Sequence, residues 1–431
     1  MKRVVWQELS TAARRAALAR PKQRSDEVLQ KAVGEIVGEV RRDGWRALVD
    51  AAVRIDGEAP SAVEVRPLAA EARRRLPADQ IEAVEFAAAR IRAFHEASRP
   101  SDFVMETAPG LTVKKTWRAI DRVGIYVPGG RTPLFSSLMM LAIPALAAGV
   151  TEIVTVTPPR PDGGLDDLIA LAGELSGVER IWTVGGAQAI AALAFGAGDI
   201  PKVDKICGPG NAWVAEAKRL VSGLPGGPAI DMPAGPSELM VIADADADPR
   251  LVAADLLSQA EHDAAAQVLL VTTSVKVANM VQAEVYTRLA ALPRRPIAAA
   301  SLRNARFIEV SDLEEAIEVV NLYAPEHLSL AVDSADELIP AIRNAGSVFA
   351  GPLAAETFGD YLAGSSHVLP TDGAARAWSG VSVYTFMKAM SVQTVTREAA
   401  RRIAGPAALL ARMEGLEAHA LAADARLGKA A

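Results

Sequence analysis

The chain has 431 residues, of which 50% are hydrophobic and 23% are charged, and its formal net charge is −6. A chain of this length can form two or more domains with separate cores, and the composition excludes an intrinsically disordered protein. The mild negative charge gives no electrostatic reason to expect nucleic acid or an anionic membrane as a partner.

No export or membrane signal is expected in the chain. Its first residues, Met1-Lys-Arg-Val-Val-Trp, lack the apolar segment of a signal peptide. The longest apolar run, 138–150, is too short to cross a bilayer and contains Pro144. The single cysteine, Cys207, excludes an intramolecular disulfide and a cysteine-rich zinc site. We therefore expect a cytoplasmic protein.

Residues 1 to about 100 have mainly helical patterns. Ser25 or Asp26 is placed to cap a helix over 27–41, and Asp79 is placed to cap one over 80–97. A strand is expected at 111–115. From Val123 onward, short β-branched runs alternate with alanine-rich helical patterns. Strands are predicted at 123–127, 153–157, 181–184, 203–206, 239–242, 268–271, 307–310 and 347–350, and helices at 136–148, 165–175, 187–195, 212–221, 249–260, 276–291 and 335–344.

This alternation favours βαβ units and a mainly parallel sheet. The predicted fold class is α/β, with two Rossmann-like domains in tandem and helical segments at both termini. The expected divisions are a helical segment at 1–24, a helical and strand part at 25–125 that packs with the second α/β domain, a first Rossmann-like domain at 126–236, a second at 237–375, and a helical tail at 376–431.

Three glycine-bearing turns follow strands of the first unit: Gly124-Ile-Tyr-Val-Pro-Gly-Gly130, Gly185-Gly-Ala-Gln188 and Gly208-Pro-Gly-Asn211. Glycines between a strand and a helix let backbone N–H groups approach phosphates. None of these turns is a G-x-G-x-x-G, since Trp213 stands where a third glycine would be. Turn geometry alone explains each glycine equally well, but three in one unit favour a nucleotide site.

Histidines in the second half have polar neighbours that suit a metal. In Ser258-Gln-Ala-Glu-His262, Gln259 and His262 are three residues apart and share a helix face. Imidazole is a common zinc donor, and an amide oxygen is an uncommon one. Asp360 and His367 lie in a predicted glycine-broken loop, and Glu414 and His419 on the terminal helix. Two imidazoles, a carboxylate and an amide would complete a four-ligand site, but spacing alone does not choose among the candidates.

Glu326 and His327 follow a predicted helix at 312–320. Pro325 biases Ala324 away from right-handed helical angles, so the pair is expected on a fixed turn at the end of an element. On an ordinary surface loop, such a pair would more often be two solvated side chains. Ser237 ends a stiff crossover, Asp231-Met-Pro-Ala-Gly-Pro-Ser237, and in isolation is better explained as a strand-entry residue.

The motifs together resemble the histidinol dehydrogenase family from about Trp117 to Arg426. Segments 124–130, 185–189, 208–218, 230–244, 258–262, 323–328, 359–371 and 414–420 occur in the order of the family's motifs. The resemblance implies two successive NAD-dependent oxidations of L-histidinol, through an enzyme-held aldehyde, to L-histidine. It also implies a homodimer whose C-terminal helices cross to the partner. Ser366 stands where the family often has asparagine, and Trp213 where it often has tyrosine.

The resemblance also implies roles for individual residues. Glu326 and His327 would be the acid–base pair, and one zinc ion per subunit would be bound by Gln259, His262, Asp360 and His419. Substrate would contact Ser237, Gln259, His262, His327, Asp360, His367, Glu414 and His419. NAD would contact Tyr126, Gln188 and Asn211.

Two alternatives stay open. A relative could oxidise another small polar alcohol, such as a sulfonated diol, although Glu414 and His367 suit a nitrogenous substrate better. A metal- or nucleotide-binding scaffold without activity would leave Glu326 and His327 idle.

Overall fold

The computed structural model of the protein describes residues 1–21, 27–129, 134–161, 163–233 and 235–427. Its strands are β1 (Lys2–Val5), β2 (Ala62–Glu64), β3 (Phe103–Ala108), β4 (Leu111–Ala119), β5 (Arg122–Tyr126), β6 (Glu152–Thr157), β7 (Arg180–Thr183), β8 (Lys205–Cys207), β9 (Ala229–Ile230), β10 (Glu238–Ala243), β11 (Gln267–Thr272), β12 (Arg306–Glu309), β13 (His327–Ala331), β14 (Ser347–Ala350) and β15 (Met387–Val395).

Most of the predicted helices begin and end close to the predicted positions, but the α-helix predicted at 335–344 ends at Leu338. The helices are α1 (Thr11–Ala17), α2 (Glu27–Asp43), α3 (Trp45–Ile55), α4 (Val65–Arg75), α5 (Ala78–Ala97), α6 (Phe135–Ala148), α7 (Asp167–Leu175), α8 (Gly186–Phe195), α9 (Ala212–Ser222), α10 (Pro249–Ala260), α11 (Val275–Leu289), α12 (Arg295–Leu302), α13 (Leu313–Tyr323), α14 (Ala335–Leu338), α15 (Glu356–Tyr361), α16 (Arg397–Met413) and α17 (Glu417–Asp424). Asp79 lies in the first turn of α5 and does not cap it, because Pro77 occupies the capping position. Ser25 and Asp26 lie outside the described residues.

The first sheet has the strand order β2-β7-β6-β5-β8-β9 in the described chain. Strands β5 to β9 are parallel, and β2 joins β7 antiparallel. The chain passes outward through β6 and β7 on one side of β5 and through β8 and β9 on the other. The point where the order reverses lies between β5 and β8, which is where open α/β sheets bind ligands.

Helices α2 to α5 pack against the first sheet unit, so the expectation that this part packs with the second domain is wrong. Helix α2 packs on α8 and α9, α4 packs on α7, and α5 packs on α6. The buried residues Val84, Ala87 and Ile91 of α5 share a core with α6. Helical spacing predicts an apolar face, but it does not identify the surface against which that face packs.

The second sheet has the order β1-β12-β11-β10-β13-β14, with all of its described pairs parallel. Its order reverses between β10 and β13, where Leu239 lies opposite His327. The amino-terminal segment was expected to be helical, but it begins with β1, which pairs with β12 at the sheet edge. Both sheets confirm the predicted α/β class with two parallel-sheet units.

A smaller antiparallel sheet of order β15-β4-β3 links the first unit to the C-terminal tail. The tail was expected to be helical from about residue 376, yet β15 pairs along the whole of β4 before α16 begins. Strand β15 is exposed along nearly all of its length, so its sequence lacks the apolar alternation of a half-buried strand. None of the helices in the described ranges has the length and apolar character required to cross a bilayer.

Candidate active site between two sheet edges

A cleft lies where the carboxyl edge of the first sheet faces the amino edge of the second. The turn after β8 and the residues after β9 form one wall, and the residue just before β10 together with the start of β13 forms the other. The cavity measures about 190 Å³. Its lining includes Ser137, Gly208, Lys218, Asp231, Ser237, His262, Glu326, His327, Asp360 and His367. The structure therefore brings six predicted site residues together: Ser237, His262, Glu326, His327, Asp360 and His367.

Glu326 and His327 are only 4% and 3% exposed, so they are not solvated surface groups. Helix α13 ends at Tyr323, and Ala324 then adopts a left-handed conformation with φ 57°. Pro325 follows, and β13 begins at His327. The helix end and the buried strand together fix the direction of both side chains.

His327 has a defined orientation. Its Nδ1 lies 3.1 Å from the carbonyl oxygen of Glu238. A carbonyl oxygen only accepts hydrogen bonds, so Nδ1 carries the hydrogen in this contact. Nε2 makes no hydrogen bond with any described residue and lies 3.6 Å from Asp360 Oδ1. The neutral form of this tautomer presents Nε2 as a proton acceptor.

Carboxylates surround the ring of His327. Its Nδ1 is 3.5 Å from Glu326 Oε2 and 3.7 Å from Glu356 Oε1. Burial alone would lower the pKa of His327, but Glu326, Asp360 and Glu356 outweigh it and raise this pKa well above its ordinary value.

The peptide groups of Glu238 hold both members of the pair. Its N–H donates to Glu326 Oε2 at 2.8 Å, and its carbonyl oxygen accepts from His327. Glu238 was not predicted as a site residue, because its backbone rather than its side chain makes these contacts.

Glu356 is a further buried acid that the sequence analysis missed. Its side chain is 1% exposed, and its pKa is raised to about 8, mainly because burial disfavours the charged carboxylate. The Ser258 hydroxyl lies 3.4 Å from its Oε2. No motif signal distinguishes this acid from a surface residue at the start of a helix.

Gln259 has the environment of a ligand. It is fully buried on α10, and neither its amide oxygen nor its amide nitrogen hydrogen-bonds with the described residues. An unpaired buried polar group costs about 1–3 kcal/mol, which coordination of the oxygen would offset. Helix α10 packs on α15, which carries Asp360, and His262 follows α10 in the cleft. Asp360 is therefore helical and not in a loop as expected.

A metal would need a further ligand from elsewhere. Within the described ranges, no three histidine, cysteine or acidic side chains come close enough to bind a metal on their own. Burial tends to raise the pKa of Asp360, but His327, His367 and His262 outweigh it and hold this pKa below its ordinary value. An amide, an imidazole and an ionised carboxylate form a donor set that fits zinc and leaves one position open.

His419 and Glu414 are not among the described residues that line the cleft. His419 is on α17, which packs on α16, and Glu414 directly follows α16. One chain by itself does not bring these two predicted residues to the site.

His367 lies on the loop after α15 and faces the first unit. Its Nε2 is 3.1 Å from Ser137 Oγ, and its Nδ1 is 2.9 Å from the carbonyl oxygen of Asp360. Burial lowers the pKa of His367. Ser137, on the buried first turn of α6, was not predicted, because its surroundings are an apolar run.

The predicted NAD residues lie at the carboxyl edge of the first sheet. The hydroxyl of Tyr126 accepts from the N–H of Gly186 at 3.2 Å. Gln188 donates through Nε2 to Asp56 Oδ2 at 3.1 Å, and its Oε1 accepts no hydrogen bond from the described residues. Asp56, which was not predicted, also accepts from the N–H of Gly185 at 3.0 Å.

Asn211 caps α9 by accepting the N–H groups of Trp213 and Val214. The preceding Gly208 has φ 127°, and a Cβ there would lie 2.1 Å from the carbonyl oxygen of Tyr126. Gly208 thus keeps the turn against β5. Gly130, the last residue of the first predicted glycine turn, lies outside the described residues.

A buried ion pair between Lys218 and Asp231 fixes the same turn. Lys218 Nζ lies 2.5 Å from Asp231 Oδ1 and donates to the carbonyl oxygen of Gly208 at 2.8 Å. Asp231 Oδ2 accepts from the N–H of Gly208 at 2.8 Å. The backbone N–H and the carbonyl oxygen of Gly208 are therefore both hydrogen-bonded to this ion pair, which fixes the backbone at this wall of the cleft.

Two parallel α/β units define a two-domain α/β protein, and a buried carboxylate–imidazole pair lies in the cleft between the two sheets. The chain belongs to the histidinol dehydrogenase family, whose model matches residues 18–427. It is therefore an oxidoreductase, and the family resemblance predicted from its motifs is confirmed.

Individual relatives match along nearly the whole chain. Histidinol dehydrogenase from Xylella fastidiosa is 47% identical and covers 100% of both chains. The enzyme from Legionella pneumophila is 43% identical over 98% of this chain and 97% of its own. The crystal structure of histidinol dehydrogenase from Elizabethkingia anophelis superposes with a TM-score of 0.95 at 38% identity, covering 99% of this chain and 98% of its own.

Proposed function

We propose that this protein oxidises L-histidinol to L-histidine in two NAD-dependent steps with an enzyme-held aldehyde between them. Membership of the histidinol dehydrogenase family supports the substrate. The observation that carries the chemistry is the buried Glu326–His327 pair in the interdomain cleft. These would be the last steps of histidine biosynthesis.

His327 would first have to be in its neutral form, and would then remove the hydroxyl proton as hydride passes from the alcohol carbon to NAD. Its Nδ1 hydrogen is engaged with Glu238, so Nε2 is the nitrogen available to the substrate. Glu326 would take a proton from the water that adds to the aldehyde in the second step. One carboxylate oxygen of Glu326 is fixed by the N–H of Glu238, and the other can contact water.

Zinc would be bound by Gln259, His262 and Asp360, with the partner subunit's His419 as the fourth ligand. The unpaired amide of Gln259 and the ionised Asp360 support this set. Bound zinc would supply a fixed point that orients the substrate's amino and imidazole nitrogens. Ser237 and His367 would contact the substrate from the cleft walls. Gln259, His262, His327 and Asp360 would also contact it.

NAD would bind at the carboxyl edge of the first sheet, close to its strand-order reversal. Tyr126 and Gln188 are fixed there by hydrogen bonds, and Asn211 caps the helix that begins at the edge. Helix N-termini at this edge present N–H groups that suit phosphate. The nicotinamide would then face His327 across the cleft.

A homodimer would complete the site. The C-terminal helices expose large apolar side chains, including Leu409, Leu410 and Met413 at 61%, 63% and 75%. Such a surface marks a protein interface. Glu414 would contact substrate in the partner's cleft, as His419 would bind the partner's zinc. We place this enzyme in the cytoplasm, with no nucleic acid or membrane partner, in line with the net charge of −6.

The proposal is tested by following NAD reduction with L-histidinol and zinc-loaded protein. We expect two NADH per histidine formed, loss of activity with a chelator, and recovery with zinc. His327→Asn, which keeps a polar side chain, is expected to abolish the first oxidation. Absence of NADH formation by folded, zinc-loaded protein would refute the proposal, as would faster turnover of a sulfonated diol.

A further inference from the structure

Arg20 links the amino-terminal segment to the strand that holds the acid–base pair. Its Nε and Nη2 both donate to the carboxylate of Glu238, with Nη2 2.8 Å from Oε2. The two side chains are 18% and 3% exposed. A two-pronged contact between guanidinium and carboxylate fixes both distance and orientation. Arg20, which lies outside the second sheet, therefore fixes the side chain of Glu238, the first residue of β10.

The same guanidinium also holds the turn that precedes the pair. Nη2 lies 3.0 Å from the carbonyl oxygen of Tyr323 and 3.3 Å from that of Ala324. The Arg20 Cζ lies 4.0 Å above the ring centre of Tyr323. Ala324 has φ 57°, which residues with a side chain rarely adopt and which surrounding contacts must maintain. Arg20 supplies one such contact by donating a hydrogen bond to the carbonyl oxygen of Ala324.

These contacts meet at the peptide groups that orient the pair. The N–H of Glu238 donates to Glu326, and its carbonyl oxygen accepts from His327. Arg20 holds the side chain of Glu238 and the backbone two residues before Glu326. The N–H of Asp372 completes the cluster by donating to Glu238 Oε1 at 3.1 Å.

We propose that Arg20 is a positioning residue that acts through Glu238 on both Glu326 and His327. It touches neither side chain of the pair. Its loss would remove both guanidinium contacts to the carboxylate of Glu238 and the contact to the carbonyl of Ala324, leaving that carboxylate with the hydrogen bond from the N–H of Asp372, so the side chains of Glu326 and His327 would shift relative to the substrate. This proposal rests on the proposed roles of Glu326 and His327 in the two oxidations.

The test compares zinc-loaded wild type with R20M, R20K and R14M in single-turnover and steady-state assays of both oxidations. Arg14 is the matched control, because it stacks 4.9 Å over Trp6 and donates to the Trp6 carbonyl oxygen in the same segment, away from Glu238. Thermal unfolding measures how much each variant loosens the segment.

For R20M, we expect kcat to fall by about 10- to 100-fold in both oxidations, because small displacements of catalytic groups cost this much. KM for histidinol should stay within about threefold, since the loss is in the transition state. R20K, which keeps the charge without the fork, should be intermediate. R14M should keep the wild-type kcat even where its unfolding temperature falls as far as that of R20M.

The positioning role would be refuted by folded R20M with wild-type kcat, or by an equal loss in R14M. A crystal structure of R20M provides a measurement independent of turnover, and the hydrogen bond from Glu238 N–H to Glu326 should be broken or lengthened. An undisturbed pair would also refute the positioning role. Failure of the wild type to oxidise histidinol would instead contradict the proposed function.

Discussion

Gln188 is fixed on one side of its amide only. Its nitrogen donates to Asp56, whereas its buried oxygen accepts nothing from the described residues. An unpaired buried oxygen costs about 1–3 kcal/mol, and a donor group on bound NAD would offset that cost. The hydrogen bond from Gln188 to Asp56 therefore determines the direction of the Gln188 amide oxygen. Asp56 itself lies outside the three glycine turns that indicated a nucleotide site.

We expect Asp56→Ala to raise the KM for NAD by about tenfold, which corresponds to the loss of one charge-assisted hydrogen bond. At saturating NAD, kcat should change little, because the acid–base pair lies across the cleft. Steady-state kinetics with varied NAD measure both constants. Asp50→Ala, an exposed change on α3, is the control. An unchanged KM for NAD would show that Asp56 serves only the fold.

At the scale of elements, helix α5 contains a histidine on its buried face. His95 continues the stripe formed by Val84, Ala88 and Ile91, and it is fully buried. Neither ring nitrogen hydrogen-bonds with the described residues, and burial lowers the pKa of His95 to about 4. The folded protein therefore keeps this ring neutral where the unfolded chain protonates it.

This difference predicts loss of stability in acid. As pH falls from about 6.5 to about 4, the unfolded chain gains a proton that folded His95 does not take up, so the free energy of unfolding falls. His95→Leu removes the effect, and between pH 7 and pH 5 it should reduce the loss by about 1–2 kcal/mol. Urea unfolding of both proteins at the two pH values measures it. Parallel losses in the two proteins would contradict the assignment to His95.

Most elements of the two α/β units follow from local sequence, because β-branched runs such as 268–271 and alanine-rich stretches such as 187–195 have strong local preferences. Strands β1 and β15 were missed because both are edge strands with little buried surface. The Glu326–His327 turn was predictable from Pro325. Its burial, and the contacts of Glu238 and Arg20, depend on residues that are between 88 and 304 positions apart and that no local pattern connects.

At the scale of the whole molecule, His262 and Asp360 line the cleft of one chain and Gln259 is buried on α10. His419 lies on α17 and does not line the described cleft. The exposed apolar residues of α16 would provide a surface for a second copy in the proposed homodimer. A closed two-fold dimer would give each site one set of residues from each subunit.

Co-expression of two inactive variants tests this arrangement. His262→Ala and His419→Ala should each be inactive alone, because each would lack one of the proposed zinc ligands. In a mixed dimer, one cleft regains both histidines, so random pairing of equal amounts should restore about a quarter of wild-type activity. Mixing His262→Ala with Asp360→Ala is the control. Both residues belong to the cleft of their own chain, so every cleft in the mixed dimer would lack one of them and no activity should return. No recovery in the first mixture would place His419 in its own chain's site.

The strand orders have a consequence for synthesis on the ribosome. Every strand of the first six-stranded sheet lies between Ala62 and Ile230, so that sheet can close while the rest of the chain is still being made. Strand β1 is synthesised about 300 residues before its partner β12, which begins only at Arg306. The three-stranded sheet is completed later still, because its strand β15 ends only at Val395. The surface that carries α16 and α17 is thus finished after both six-stranded sheets, so pairing with a second copy through it would have to wait until synthesis has passed Val395.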